Sequence, residues 1–462
     1  MGTLTDVSIS LPTWGEVFRV LTFQAGFNTS IVIIGATLLG FAAGNIGTFA
    51  LLRNRALMGD ALAHCTLPGL ALAFIFASLL GFDGKSLPTL LAGATLTGVL
   101  GVITVQLLVR YSRLEQDTAI GAILSTFFGA GVVLMSIIQN LGTGQEGGLH
   151  HFIFGQTAAM NRFDAFFILA VAILASAVCL ALLKEFRLVC FDEQFARSDG
   201  WPVATIDLTM MSLVVLVTVF GLQAVGLLLI VALLIIPAAA ARFWTQRLTT
   251  MTVVAATIGA LSGYFGASAS ALLPRLPAGA VVVLVSGVLF FGSLLFAPER
   301  GVLSSMFSAL FLRIRIAKEH FLREVYETRE ASGVDPQASG IPIALTSLLS
   351  ARNWSLPFRT LMLLILRLDG TVCTDSDGIT LSETGVKESA LKVRNHRLWE
   401  EYLLTHSEIS ISHVDYSADL VEHFISEELL KKLEHSLHER GKLSSPVEVP
   451  RCLHSVDTEE TT

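Results

Sequence analysis

The chain has 462 residues, 53% of them hydrophobic and only 15% charged, with a mean hydropathy of +0.66. A soluble globular protein of this length is far more polar, so the composition excludes that class and points to a membrane chain. Residues 1–298 hold 13 Lys/Arg and 13 Asp/Glu, whereas residues 299–462 hold 18 and 25, so the whole net charge of −7 lies on a polar tail.

Met1–Asn28 is expected to lack a signal peptide. It is mixed in character, with Glu16 and Arg19 in a mildly amphipathic run. Runs of about 20 apolar residues, enough to cross a bilayer, fall near 30–52, 60–81, 88–110, 117–138, 164–184, 249–269 and 277–297. The stretch 205–241 is almost uncharged after Asp207 and long enough for two more, with a break predicted at Gly221-Leu222-Gln223. If it crosses twice, Arg53/Arg55, Arg110/Arg113, Lys184/Arg187/Arg197 and Arg242/Arg247 all fall on one side, the inner one by the positive-inside rule. Nine crossings then put the N-terminus outside and the tail inside; one re-entrant segment would leave eight. Small residues such as Gly40, Ala42-Ala43-Gly44 and Gly93 suit close helix packing.

Asp60 and His64 are four residues apart and share one helical face. A carboxylate and an imidazole inside a membrane segment are costly, and by default they line a pathway or pair with something. Together they suit Mn, Fe or Zn. The plainer alternative has Asp60 capping the helix and His64 bonding a neighbouring carbonyl. Gly142–His151 carries the only other histidines of the membrane part, His150-His151, in a Gly-rich external loop. Phe191–Val203 is a charged amphipathic insert on the presumed inner side, suited either to docking a soluble partner or to a solvated connector. No Walker A loop is present, so ATP-driven transport needs a separate ATPase chain. The five cysteines (Cys65, Cys179, Cys190, Cys373, Cys452) have no CxxC spacing and indicate neither a disulfide framework nor a zinc ribbon.

Three segments in order, RNRALMGDALAHCTLPGLALA, FDEQFARSDGWPV and VGLLLIVALLIIPAAAARFW with the following RLPAGAVVVLVSG, resemble the metal-ion ABC importer permeases for Mn, Zn or Fe, over roughly residues 14–298. That resemblance implies a permease paired with itself or a sister chain, two cytoplasmic ATPase subunits and an external metal-binding protein. It implies that Asp60 and His64 lie on the translocation path. It also implies that 191–203 engages the ATPase through Asp192, Glu193, Ala196, Asp199 and Gly200. Asp199 stands where the family usually has Leu.

In the tail, 299–318 reads as a junction whose Met306–Ile316 run, beside Arg313, Arg315 and Lys318, suits the inner membrane surface. Glu319–Ala331 reads as a helix. Ile341–Arg352 and Ser355–Leu368 read as helix-turn-helix, Gly370–Ser382 as a two-stranded wing, and Ser382–Leu404 as a further helix. The reading helix offers Ser355, Arg359, Thr360 and Arg367 to DNA in an otherwise apolar run. Beyond it, His396 and Glu400 share a helical face, and Asp415, Asp419, Glu422 and His423 bunch within nine positions, a donor set for one or more divalent cations.

The segments EHFLREVYE, DGITLSETG, NHRLWEEYLL, SADLVEHFIS and a degenerate PRCLH resemble the diphtheria toxin repressor family of metal-dependent regulators, over roughly 317–457. The resemblance implies one metal site from His320, Asp419, Glu422 and His423 and a neighbouring one from His396, Glu400 and Asp415. His320 stands where relatives use Met or Asp, and Asp415 where many have His, with His413 nearby as a substitute. The combination resembles fusions of chlamydial bacteria. The expected architecture is an all-α polytopic membrane bundle of 8–9 crossings, followed by a soluble winged helix-turn-helix and a helical metal-binding and dimerisation domain. Its expected divisions are 1–298 permease, 299–318 junction, 319–395 winged helix and 396–462 metal-binding helices. The expected function is an inner-membrane permease importing Fe, Mn or Zn, with the metal also acting as co-repressor on operator DNA. A membrane-tethered repressor reaches only DNA brought to it, so the junction is expected to be cut. Otherwise the tail stays as a cytoplasmic sensor that inhibits transport without binding DNA.

Overall fold

A computed structural model describes residues 12–53, 56–80, 86–140, 160–273, 276–336, 338, 340–342, 356–375, 378–406, 427–439 and 449. The chain divides into two compact units, 1–305 and 306–462.

The first unit is helical: α1 (Trp14–Leu21), α2 (Phe27–Leu52), α3 (Ala56–Leu79), α4 (Leu87–Tyr111), α5 (Gln116–Asn140), α6 (Arg162–Ala181), α7 (Leu183–Phe191), α8 (Glu193–Ser198), α9 (Val203–Val225), α10 (Leu227–Trp244), α11 (Leu248–Leu272) and α12 (Ala278–Phe296). Among the described residues, eight helices are long and apolar enough to cross a membrane, and 229–244 is a shorter apolar helix. The chain is thus a multi-pass membrane protein. The break in the long apolar stretch falls at Gly226, a few residues after the expected point. Gly226 has φ +87°, a left-handed conformation that ends α9 and caps the start of α10. Gly221 instead stays inside α9, where an added Cβ would press on the Ile230 side chain.

Helices group by how closely their backbones approach. Along α2 and α11, Gly40 meets the backbone of Gly259 and Gly263 meets that of Ala36, so that any Cβ there would collide with a carbonyl. Gly69 of α3 and Gly93 of α4 cross in the same way. This is small-residue packing, which replaces the absent hydrophobic drive between helices in lipid. Helices α10 and α11 pack on each other and each on α2 and α12; α3, α4 and α5 form a second set; α9 touches α2, α3 and α4. The core between them is built from Ile46, Phe49, Leu62, Phe74, Val214 and Ile230. Outside it, the Tyr264 hydroxyl on α11 donates to the Leu21 carbonyl at 2.6 Å and holds the end of α1.

In the second unit the expected junction and the helix after it are one element. Helix α13 runs unbroken from Val302 to Ala331. It is followed by α14 (Leu356–Leu368), the antiparallel pair β1 (Val372–Asp375) and β2 (Gly378–Leu381), then α15 (Glu383–His406) and α16 (Glu427–Glu439). The hairpin pairs Val372 with Leu381 and Thr374 with Ile379. A core of Phe321, Leu322, Val325, Met362, Leu366, Val372, Ile379 and Leu381 joins α13, α14 and the hairpin. The expected helix Ile341–Arg352 lies outside the described residues from 343 onward.

Candidate functional site

Helix α3 presents Asp60 and His64 on one face, with His64 Nε2 at 3.7 Å from Asp60 Oδ1. The Asp60 side chain is 44% exposed and that of His64 23%. The imidazole meets the edge of Phe128 on α5 at 4.9 Å between centroids. Its Nδ1 is buried and has no hydrogen-bond partner among the described residues. The separation is too long for a hydrogen bond. It is close to the roughly 3.4 Å between two ligands of a tetrahedral ion bound at ~2.1 Å each. Pro68, four positions beyond His64 and inside α3, lacks the N–H that would have bonded the His64 carbonyl.

The insert at 191–203 folds as the short helix α8 between α7 and α9. Asp192 caps it, its Oδ1 accepting from the Phe195 N–H at 2.8 Å, and Ala196 is fully buried. Gly200, at φ +82°, turns the chain out of it, and Asp199 accepts from the Trp201 indole at 2.9 Å. Phe191, Phe195 and Trp201 remain exposed. Glu193 bonds both Arg197 and Arg53. Burial works to raise its carboxyl, but hydrogen bonds from Arg197 and Arg53 outweigh this and hold it below the usual carboxylate range.

In the second unit, His320, His396 and Glu400 are all buried. His396 and Glu400 come together, Nε2 to Oε1 at 3.3 Å. A third group joins them: Arg323 Nη1 lies 2.7 Å from His396 Nδ1 and 3.1 Å from Nε2. Arginine can only donate, so the tautomer satisfying both neighbours has Nδ1 accepting from Arg323 and Nε2–H facing Glu400. Burial pushes the nearby Glu327 carboxyl up, against the pull of Arg323 and His396. Imidazole and carboxylate are donors that a divalent cation takes, but here the imidazole is also held by the Arg323 guanidinium. No group of three or more His, Cys, Asp or Glu converges among the described residues. The remaining candidates Asp415, Asp419, Glu422 and His423 lie outside them, as do Ser355 and the Arg359 side chain. Thr360 is exposed on α14, beside the exposed Leu361, Leu364 and Leu368.

The family model described as the ABC 3 transport family matches residues 28–297, more than half of the chain. The chain belongs to the ABC 3 transport family. Within the tail, residues 382–442 match the iron dependent repressor metal binding and dimerisation domain. Both parts are covered by the manganese transport system membrane protein MntC of Bacillus subtilis, 35% identical over 427 residues, 91% of this chain and 95% of that protein. A probable metal transport system membrane protein of Chlamydia trachomatis also spans both, 25% identical over 89% of this chain and 93% of its own. The zinc transport system membrane protein TroC of Treponema pallidum is 37% identical over 272 residues, 59% of this chain and 90% of that protein. Among solved structures, PsaBC from Streptococcus pneumoniae in complex with Fab aligns with a TM-score of 0.52 and 31% identity, over 62% of this chain and 98% of that one.

Sequence reasoning missed three groups that the ABC 3 fold and its tail bring into play. Arg53 counted there only as a topology charge, although it bonds Glu193 and Asp207. Asp207 counted as the last charge before an apolar run, yet it is 4% exposed. A carboxylate at the head of a span needs a partner, and that was the available signal. Arg323 was overlooked beside His320, three residues earlier on the same helix.

Proposed function

We propose that the chain is the permease subunit of an ATP-driven importer of a divalent transition metal, manganese, iron or zinc, in the bacterial inner membrane with its tail in the cytoplasm. Family membership and the manganese and zinc transport names of its relatives support this reading. The observation that carries it is the Asp60–His64 pair on α3. A carboxylate nearly half exposed on a span is expensive against lipid, and a second permease chain covers it in this reading. A two-fold pairing would bring two carboxylates and two imidazoles to one axis. An extracytoplasmic metal-binding protein delivers the ion. ATPase subunits, separate chains, dock on the exposed aromatic surface of α8 and its flanks. Metal uptake by the complex in proteoliposomes tests this: Asp60→Asn and His64→Gln abolish uptake while the complex still assembles. Wild-type uptake in both variants overturns the reading.

We further infer that the tail is a metal-dependent regulator. His320, Asp419, Glu422 and His423 would hold one ion and His396, Glu400 and Asp415 another. When bound, the metal supplies positive charge and coordination bonds that tie helices of the tail together. In this reading α14 and the β1–β2 hairpin form a winged helix-turn-helix that binds operator DNA through the start of α14, after release of the tail by cleavage, and the repressor-domain match at 382–442 supports the metal-binding part alone. A second reading keeps the tail attached as a sensor that inhibits transport. The exposed leucines of α14 favour it, because base reading needs donors and acceptors. The unbroken helix α13 favours it too, since ordered helix interiors resist proteolysis. Binding of the full-length protein to its own promoter with Mn(II), Fe(II) or Zn(II), and an immunoblot for a free tail, separate the two. Metal-dependent binding supports the repressor; metal inhibition of uptake without DNA binding supports the sensor.

A further inference from the structure

One guanidinium at the end of α2 joins the 191–203 loop to α7 and α9. Arg53 closes α2. Its Nη1 donates to the Val189 carbonyl of α7 at 3.1 Å and to Glu193 Oε2 of α8 at 2.8 Å. Its Nε donates to Asp207 Oδ1 of α9 at 3.2 Å. The other Asp207 oxygen accepts from Gln106 Nε2 of α4 at 2.9 Å. Asp207 thus receives one bond from each of the two helix sets, α2 with its partners and α4 with α3 and α5. The partners are far apart in sequence, 140 positions to Glu193 and 154 to Asp207, so this is no local cap.

The two arms of Arg53 differ. The arm to Asp207 is sealed, the side chains 12% and 6% exposed. Breaking such a buried pair by removing one partner is strongly destabilising. The arm to Glu193 is one-third exposed on the carboxylate side, and Glu193 also bonds Arg197 through its other oxygen. A carboxylate bridging two guanidiniums through separate oxygens, one fixed in the bundle and one on the loop, ties the loop to the bundle, so a partner that displaces the loop pulls on Arg53 through it. Asp60 follows Arg53 by seven positions, on the next helix.

We propose that Arg53 is the positioning residue of the transport cycle, passing displacement of α8 through Glu193 and Asp207 to both helix sets and so to the Asp60–His64 pair. This rests on the permease reading above. The partner of the loop is a cytoplasmic ATPase chain, and the ion moved is the metal cargo.

The test uses the full transporter, permease with ATPase and metal-binding protein, in proteoliposomes, scoring Mn(II) and Zn(II) moved per ATP hydrolysed. Arg53→Gln lowers that ratio by roughly tenfold, within the ordinary range of coupling between sites, and Arg53→Lys recovers part of it. Glu193→Gln, which removes only the exposed arm and keeps the buried pair, gives a smaller fall and guards against a misfolded Arg53 variant. A simple loss of structure lowers uptake and ATP hydrolysis together and leaves the ratio unchanged; that outcome overturns the proposal, as does a wild-type ratio in Glu193→Gln. A wild-type complex that hydrolyses ATP and moves no metal overturns the permease reading itself, and this inference with it.

Discussion

Arg323 holds its guanidinium 2.7 Å from Nδ1 of His396, while the Glu400 carboxylate faces Nε2 of the same ring. The pair expected to bind metal therefore already faces a cation belonging to the protein. Coordination through Nδ1 requires Arg323 to give up that nitrogen, and Glu327, with Oε1 at 3.8 Å from Arg323 Nε, is a carboxylate within reach. Arg323→Met should tighten metal binding to the tail by about tenfold, since a hydrogen bond to a charged group contributes about 1.5–3 kcal/mol. It should also lower the stability of the metal-free tail. Titration of the full-length protein with Mn(II) or Zn(II), with metal-free melting alongside, reads both. Weaker binding in the variant would mean that the arginine organises the ligands instead of competing with the ion.

The six-residue helix α8 is too short to persist without its cap. Asp192 supplies it through the Phe195 N–H. Asp192→Ala should cost about 1 kcal/mol of local stability and speed amide exchange across 193–198, leaving the spanning helices protected. Hydrogen exchange by mass spectrometry checks this; unchanged protection would show that the buried Ala196 holds the helix by itself.

Glu193 has its folded pKa held below the ordinary 4.5 by Arg197 and Arg53, against the opposing effect of burial. A depressed carboxyl stabilises the fold above its unfolded pKa, and that contribution fades as pH falls through the lower folded value. The link between α8 and Arg53 should thus be intact from neutral pH down to about 5 and weaken below the ordinary glutamate range. Thermal melts of wild type and Glu193→Gln across that range should converge at the acid end and separate above it. Parallel curves at every pH would count against the ion pair.

Gly259 leaves no room for a side chain, because its Cβ would enter the Gly40 carbonyl of α2. Gly259→Val should destabilise the membrane unit by at least the ~1–3 kcal/mol typical of overpacking. Gly287 of α12, where an added Cβ meets nothing within 4 Å, should accept valine with little change. Detergent-solubilised melting temperatures of the two variants make the comparison.

Membrane crossings are legible in this chain because lipid forces about 20 apolar residues into each span. The division of 205–241 is harder to read, since Gly221 and Gly226 look alike in sequence. One packs against Ile230 while the other adopts a positive φ, and only tertiary contact distinguishes them. Helix α13 was legible in principle: no Gly or Pro interrupts 302–331, but the basic cluster at 313–318 suggested a boundary. The Asp60–His64 and His396–Glu400 pairs follow from four-residue spacing, which a helix converts directly into proximity. Arg53 with Asp207, and Arg323 with His396, join residues 154 and 73 positions apart, and no local period announces such pairs.

The glycine crossings bear on what is able to move. Where two backbones touch, neither helix can rotate or slide without a carbonyl entering a Cα, so α2 with α11 and α3 with α4 each act as one plank. Successive helices α2 and α3, by contrast, touch each other little. Between the two planks lies α9, which packs on α2, α3 and α4 through apolar side chains instead of glycine against glycine. One plank ends at Arg53 and the other begins three positions on, at Ala56, so the residue that gathers Glu193 and Asp207 sits where the two planks meet in the chain.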